Sequence, residues 1–183
     1  MPKAGPKFLT QVAAVHFVSH VHIMLIPALL PVLPGLLGVG FVELGVALAV
    51  FNIVCALVQA PLGYAVDHYG ARKVLKAGLL LGSLSFLLLA ASPGYAVLLV
   101  AMAMAGLANG VYHPADYALL ANGIEPARLG RSFSIHTFAG FLGSAVTPAV
   151  FLGIAAVFGT RAALTAGAVV GVAALLLISI PGS

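Results

Sequence analysis

Polar side chains able to exchange protons interrupt long apolar stretches of this 183-residue chain at helical spacing. His16 and His20 share one helix face, and Asn109, His113 and Asp116, at i, i+4 and i+7, share another. Ser132, His136, Gly140, Gly143 and Thr147 form a similar stripe, and Asn52 and Gln59 lie on a common face. Histidine changes charge near neutral pH, and a neighbouring aspartate can take or release the same proton. In a membrane such groups cost about 2.5–3.5 kcal/mol each at a helix centre, so they face protein or a water-filled cavity. Three readings compete for the set. The first is a proton relay or solute site. The second is a structural network, favoured by Pro114, which removes an amide donor and frees a carbonyl one turn earlier for His113 or Asn109 to satisfy. The third is a metal site, which six histidines permit. No carboxylate-rich cluster or second sulfur ligand accompanies them, so neither a metal nor another cofactor is assigned.

The elements that carry these residues are membrane helices. Hydrophobic residues make up 62% of the chain and charged residues 7%, against roughly 25% charge in a soluble domain. A span takes about 20 apolar residues. Six candidates follow: Phe8–Leu33, Phe41–Val66, Val74–Ala91, Tyr95–Ala121, Ser132–Phe158 and Ala162–Ile180. They are helices, because lipid cannot satisfy an exposed backbone, and no strand-like alternation points to a barrel. Counting about 1.5 Å per residue from the basic ends places His16, His113 and His136 at similar depth. On the same count Asp116 is nearer the surface and His20 nearer the midplane.

Charge fixes the orientation. Lys3 and Lys7 precede the first run, Arg72, Lys73 and Lys76 follow the second, and Arg128 and Arg131 follow the fourth. Arg161 alone falls on the other side. The positive-inside rule then puts both termini in the cytoplasm. The net charge of +4 follows from topology and does not call for nucleic acid. The lone Cys55 excludes an intrachain disulfide. The first run is too long for a cleaved signal sequence and lacks a small-residue cleavage site. No P-loop and no H-E-x-x-H are present. Ser83 and Ser144 follow glycines without a convincing nucleophile turn, so an enzyme is not expected. Tyr64, Tyr69 and Tyr95 sit near span ends, where aromatic rings favour the interface.

Between the second and third spans runs Gly63-Tyr64-Ala65-Val66-Asp67-His68-Tyr69-Gly70-Ala71-Arg72-Lys73. Gly70 permits a left-handed turn. Asp67 can accept hydrogen bonds from a neighbouring helix N-terminus or from Arg72. The segment resembles the G-x-L-A-D-R-x-G-R-R/K loop of the major facilitator superfamily, with Gly63, Asp67, Gly70, Arg72 and Lys73 matching and Ala65 in place of Leu. The first span around His16, Phe17, His20, Pro27 and Pro31 resembles the fosmidomycin-resistance-type branch. So do His113-Pro114, and Gly130 to His136 followed by Gly140, Gly143 and Pro148.

The resemblance implies an all-α integral membrane fold: the N-terminal six-helix half of such a transporter, made of two inverted three-helix repeats, in a bacterial inner membrane. It implies secondary transport of a small organic solute by alternating access, proton-coupled and in the efflux direction, with Asp67 and Arg72 in a conformational latch. No arginine lies inside a span to clamp an anion, which disfavours phosphate or dicarboxylate as solute. Family members carry two such halves. The expected partner is therefore a second copy in a parallel homodimer; seven basic residues on one side and one on the other disfavour an antiparallel pair. The alternatives are a non-transporting accessory subunit or an isolated half of a twelve-span protein.

Overall fold

The computed structural model describes residues 5–181; Lys3 lies outside them. Seven helices run in order: α1 (Pro6–Leu29), α2 (Leu33–Leu37), α3 (Phe41–Tyr69), α4 (Ala71–Ala91), α5 (Tyr95–Gly123), α6 (Pro126–Phe158) and α7 (Thr160–Ser179). All but the short α2 are long and apolar enough to cross a membrane. They are the six expected spans with corrected ends.

Proline chemistry sets two of those corrections. The first span stops at Leu29 rather than Leu33. Pro31 has no amide to give the Pro27 carbonyl, so Leu30 N–H closes a tighter turn onto it at 3.4 Å. The chain then makes α2 before Gly38 ends it with φ +66°. The fifth span, α6, begins at Pro126 rather than Ser132. Proline suits a first helical position because its missing amide would be unbonded there. The gap between the Tyr95–Ala121 and Ser132–Phe158 candidates thus shrinks to Ile124 and Glu125. Between α3 and α4 the only link is Gly70, with φ +91°, a region where L side chains are strained.

The packing repeats itself. The strongest partners are α1 with α6, α3 with α5, α4 with α5, α4 with α7 and α1 with α7. Exchange α1 with α5, α3 with α6 and α4 with α7, and this set maps onto itself. Two three-helix units of opposite direction are therefore related by a pseudo-two-fold axis. The closest approaches obey the same exchange. A β-carbon at Gly106 of α5 would lie 2.5 Å from the Phe51 carbonyl of α3, and one at Gly143 of α6 would strike the Phe17 carbonyl of α1. Glycine lets backbones meet at such distances, which is how membrane helices gain packing energy without a hydrophobic drive.

Lys7, Arg72, Lys73, Lys76, Arg128 and Arg131 gather at one end of the bundle, and Arg161 at the other. The basic end is also tied by hydrogen bonds. Arg72 donates to the Ile178 carbonyl at 3.0 Å and to that of Ile180 at 3.3 Å. Gln11 donates to the carbonyls of Leu177 and Ile180 at 3.0 and 3.1 Å. The end of α7 is thereby fastened to α1 and α4, with the otherwise orphan Leu177 and Ile178 carbonyls satisfied.

Candidate functional site

Three helices deliver the histidines to one place. His16 and His20 come from α1, His113 and Asp116 from α5, and His136 from α6. The His16 and His136 rings stack with centroids 3.6 Å apart and planes 16° from parallel. His113 lies 5.3 Å from His16, and His20 sits edge-on to it at 4.6 Å. Asp116 closes the group: its Oδ2 is 3.2 Å from His136 Nε2 and 3.4 Å from His16 Nδ1. Its side chain is 0% exposed. A carboxylate so enclosed needs a compensating charge or a proton of its own. Gly140 makes the approach of α6 feasible, since a β-carbon there would lie 2.6 Å from His16 Nε2.

The group carries spare hydrogen-bonding capacity. Among the described residues Asp116 Oδ1, His136 Nδ1 and His113 Nδ1 are buried without a partner. Its edges are anchored. Ser19 donates to the His16 carbonyl at 2.7 Å, and Ser144 pairs with His20 Nδ1 at 2.9 Å. Tyr117 stands at the rim, its ring 5.6 Å from His113 and 5.8 Å from His136. Proton exchange is the chemistry this geometry favours. Two imidazoles and one carboxylate share a buried site, and stacked rings at 3.6 Å repel if both are cationic. His16, Asp116 and His136 also bring ligand atoms within 4.8 Å of one another. Imidazole lone pairs, however, lie in the ring plane. Rings so nearly parallel cannot aim at one ion unless one of them turns.

Not every expected residue joins. Asn109 faces α3 instead, donating to Cys55 Sγ at 3.1 Å. Among the described residues the backbone repair expected beside Pro114 is made by neither Asn109, which bonds Cys55, nor His113, whose Nδ1 has no partner. Asn52 and Gln59 are exposed on α3, and Asn52 bonds back to the Leu48 carbonyl. Asp67 is exposed, and among the described residues no hydrogen bond or ion pair reaches its carboxylate, because Arg72 is engaged by the end of α7. An internal Asp67–Arg72 latch is absent from this arrangement. Gly63 is open and Lys73 exposed. Ser19, Ser144 and Tyr117 were not singled out for the site. For Ser19 the signal was available, three residues after His16. The Ser144–His20 contact joins distant helices and had none.

A second polar group lies on the other side of α1. His22 bonds Tyr112 at 3.3 Å and the Gly167 carbonyl at 3.1 Å. Both ring nitrogens are used, which fits a structural tie between α1, α5 and α7.

A model of the Major Facilitator Superfamily matches residues 12–182. The chain belongs to that superfamily. It is 28% identical over 130 residues to the multidrug resistance protein B homolog of Mycobacterium tuberculosis, covering 71% of this chain and 24% of that one. It is 27% identical over 144 residues to the fosmidomycin resistance protein of Escherichia coli, covering 79% and 35%. The chain thus spans about a third or less of these superfamily relatives. The crystal structure of the human organic anion transporter MFSD10 superposes with a TM-score of 0.81 at 19% identity, over 93% of this chain and 40% of that one. The six-helix bundle is the superfamily fold, and the protein is a multi-pass membrane protein of a transporter family.

Proposed function

We propose that this chain forms one wall of a proton-coupled secondary transporter for small organic solutes. Its named relatives, concerned with multidrug and fosmidomycin resistance, favour efflux. The observation that carries the proposal is Asp116, fully buried between His16 and His136 with one oxygen unpartnered. Nothing in the packing of six apolar helices requires a carboxylate there. A neutral site holds one proton among the three groups. Losing it leaves a buried negative charge that a cation, a proton or a rearranged wall must answer. Such a site links protonation to which side of the membrane it faces.

Alternating access needs a second wall. The long helices least enclosed by this bundle are α3 and α6, with Ile53, Leu57, Phe138 and Phe141 all well exposed. A second copy, parallel and related by an axis along the membrane normal, places those faces against each other. In this pairing Asp67 is free to accept from a helix N-terminus of the second unit, which gives it the latch role its own Arg72 does not fill. Both termini are cytoplasmic in this reading, as in a bacterial inner membrane.

Reconstitution into proteoliposomes, with fosmidomycin and amphipathic dyes as first solutes, tests the proposal. Wild type moves solute when a pH gradient is imposed. Asp116→Asn loses that response yet keeps solute counterflow at equal pH. Full pH-driven movement by Asp116→Asn removes the cluster from coupling. Loss of both activities in a folded variant makes Asp116 a solute ligand only.

A further inference from the structure

At the basic end, between the start of α4 and the end of α5, lies an open groove of about 870 Å³. Phe8, Ala118 and Leu119 line it with apolar surface, while Lys73, Lys76 and Asn122 bring polar atoms to it. Lys73 and Lys76 stand at i and i+3 on α4, one turn apart on the same face. Neither lies within ion-pair distance of a carboxylate among the described residues, where the only such contacts are those of Asp116 with His16 and His136. Arg72, also on the groove, is held by the carbonyls of Ile178 and Ile180 and so walls it without being free. Asp67, on the preceding helix, does not line it.

We infer that this groove binds one anionic phospholipid of the leaflet at the basic end. The two ammonium groups and the Asn122 amide receive the phosphate, and an acyl chain lies along Ala118, Leu119 and Phe8. Charge and position select this occupant over a dissolved anion. The lysines sit at a helix end, where headgroups lie, and the surface beneath them is apolar, which a free phosphate cannot use. Basic residues near an anionic membrane surface each contribute about 1 kcal/mol, roughly fivefold in affinity. Lys73 and Lys76 together are then worth roughly thirtyfold. A lipid here would brace α4 against α5 and, through Arg72, the end of α7.

Thermal unfolding of the purified protein in a neutral detergent tests this, titrated separately with phosphatidylglycerol, phosphatidylcholine and inorganic phosphate. Phosphatidylglycerol alone raises the midpoint of the wild type. Lys73→Gln/Lys76→Gln needs roughly thirtyfold more of it for the same rise, while its midpoint in phosphatidylcholine matches wild type. Lys76→Gln alone, with about a fivefold shift, serves if the double variant does not fold. Arg128→Gln/Arg131→Gln, in the first turns of α6 and outside the groove, responds as wild type. An equal rise with phosphatidylcholine or with phosphate overturns the inference. So does no rise in wild type, or a response that survives in the lysine variants and disappears in the arginine pair.

Discussion

At the residue scale the decisive object is a carboxylate with no solvent exposure. His136 and His16 stand on either side of Asp116. Removing His136 leaves a buried charge short of a partner, a loss of about 3–5 kcal/mol. His136→Ala is therefore expected to unfold at a clearly lower temperature. Adding Asp116→Asn should restore much of that stability, because the charge needing a partner is gone. Simple addition of the two single effects would show that the groups do not interact. Gly140→Ala probes the same place sterically. Its new methyl meets the His16 ring, so it should weaken pH-driven transport more than it lowers the unfolding midpoint. The converse result would make the stack a packing feature. Histidine and aspartate inside apolar runs were legible in the sequence as candidates. Which nitrogen meets which oxygen was not, because that depends on how closely α6 approaches α1.

Elements were legible as far as apolar length and proline position decide them. The six spans follow from hydropathy. The early end of α1 and early start of α6 follow from Pro31 and Pro126, whose local effects hydropathy alone does not register. The pairing of helices was visible only as what the family resemblance implied. Glycine contacts now locate the pseudo-two-fold axis. Gly106→Val forces α5 away from the Phe51 carbonyl and should cost about 1–3 kcal/mol, read as a fall in the unfolding midpoint. Gly63→Ala, with nothing within 4 Å of the new methyl, should change stability little. Equal losses at both positions would contradict the close-approach account. Arg72→Gln should loosen the last turn of α7 by about 1–3 kcal/mol through its lost charged hydrogen bonds. Faster amide exchange near Ile178 to Ile180 checks it.

For the whole molecule, the questions are what covers α3 and α6 and what the cluster does when they are covered. Cysteines at Ile53 and Phe138, in a Cys55→Ser background that keeps an acceptor for Asn109, should crosslink between chains in native membranes if two parallel copies pair. No crosslink between chains would remove the parallel pair from the account. Impermeant labelling should reach a cysteine at Arg161 from outside and not one at Lys7. The most direct test of coupling itself is proton movement during solute counterflow and net flux in proteoliposomes, followed with an internal pH dye. Wild type is predicted to move protons opposite to solute in net flux, and Asp116→Asn to move solute without them. Solute flux in wild type with no accompanying change of internal pH, or the same proton flux in both proteins, would contradict the account.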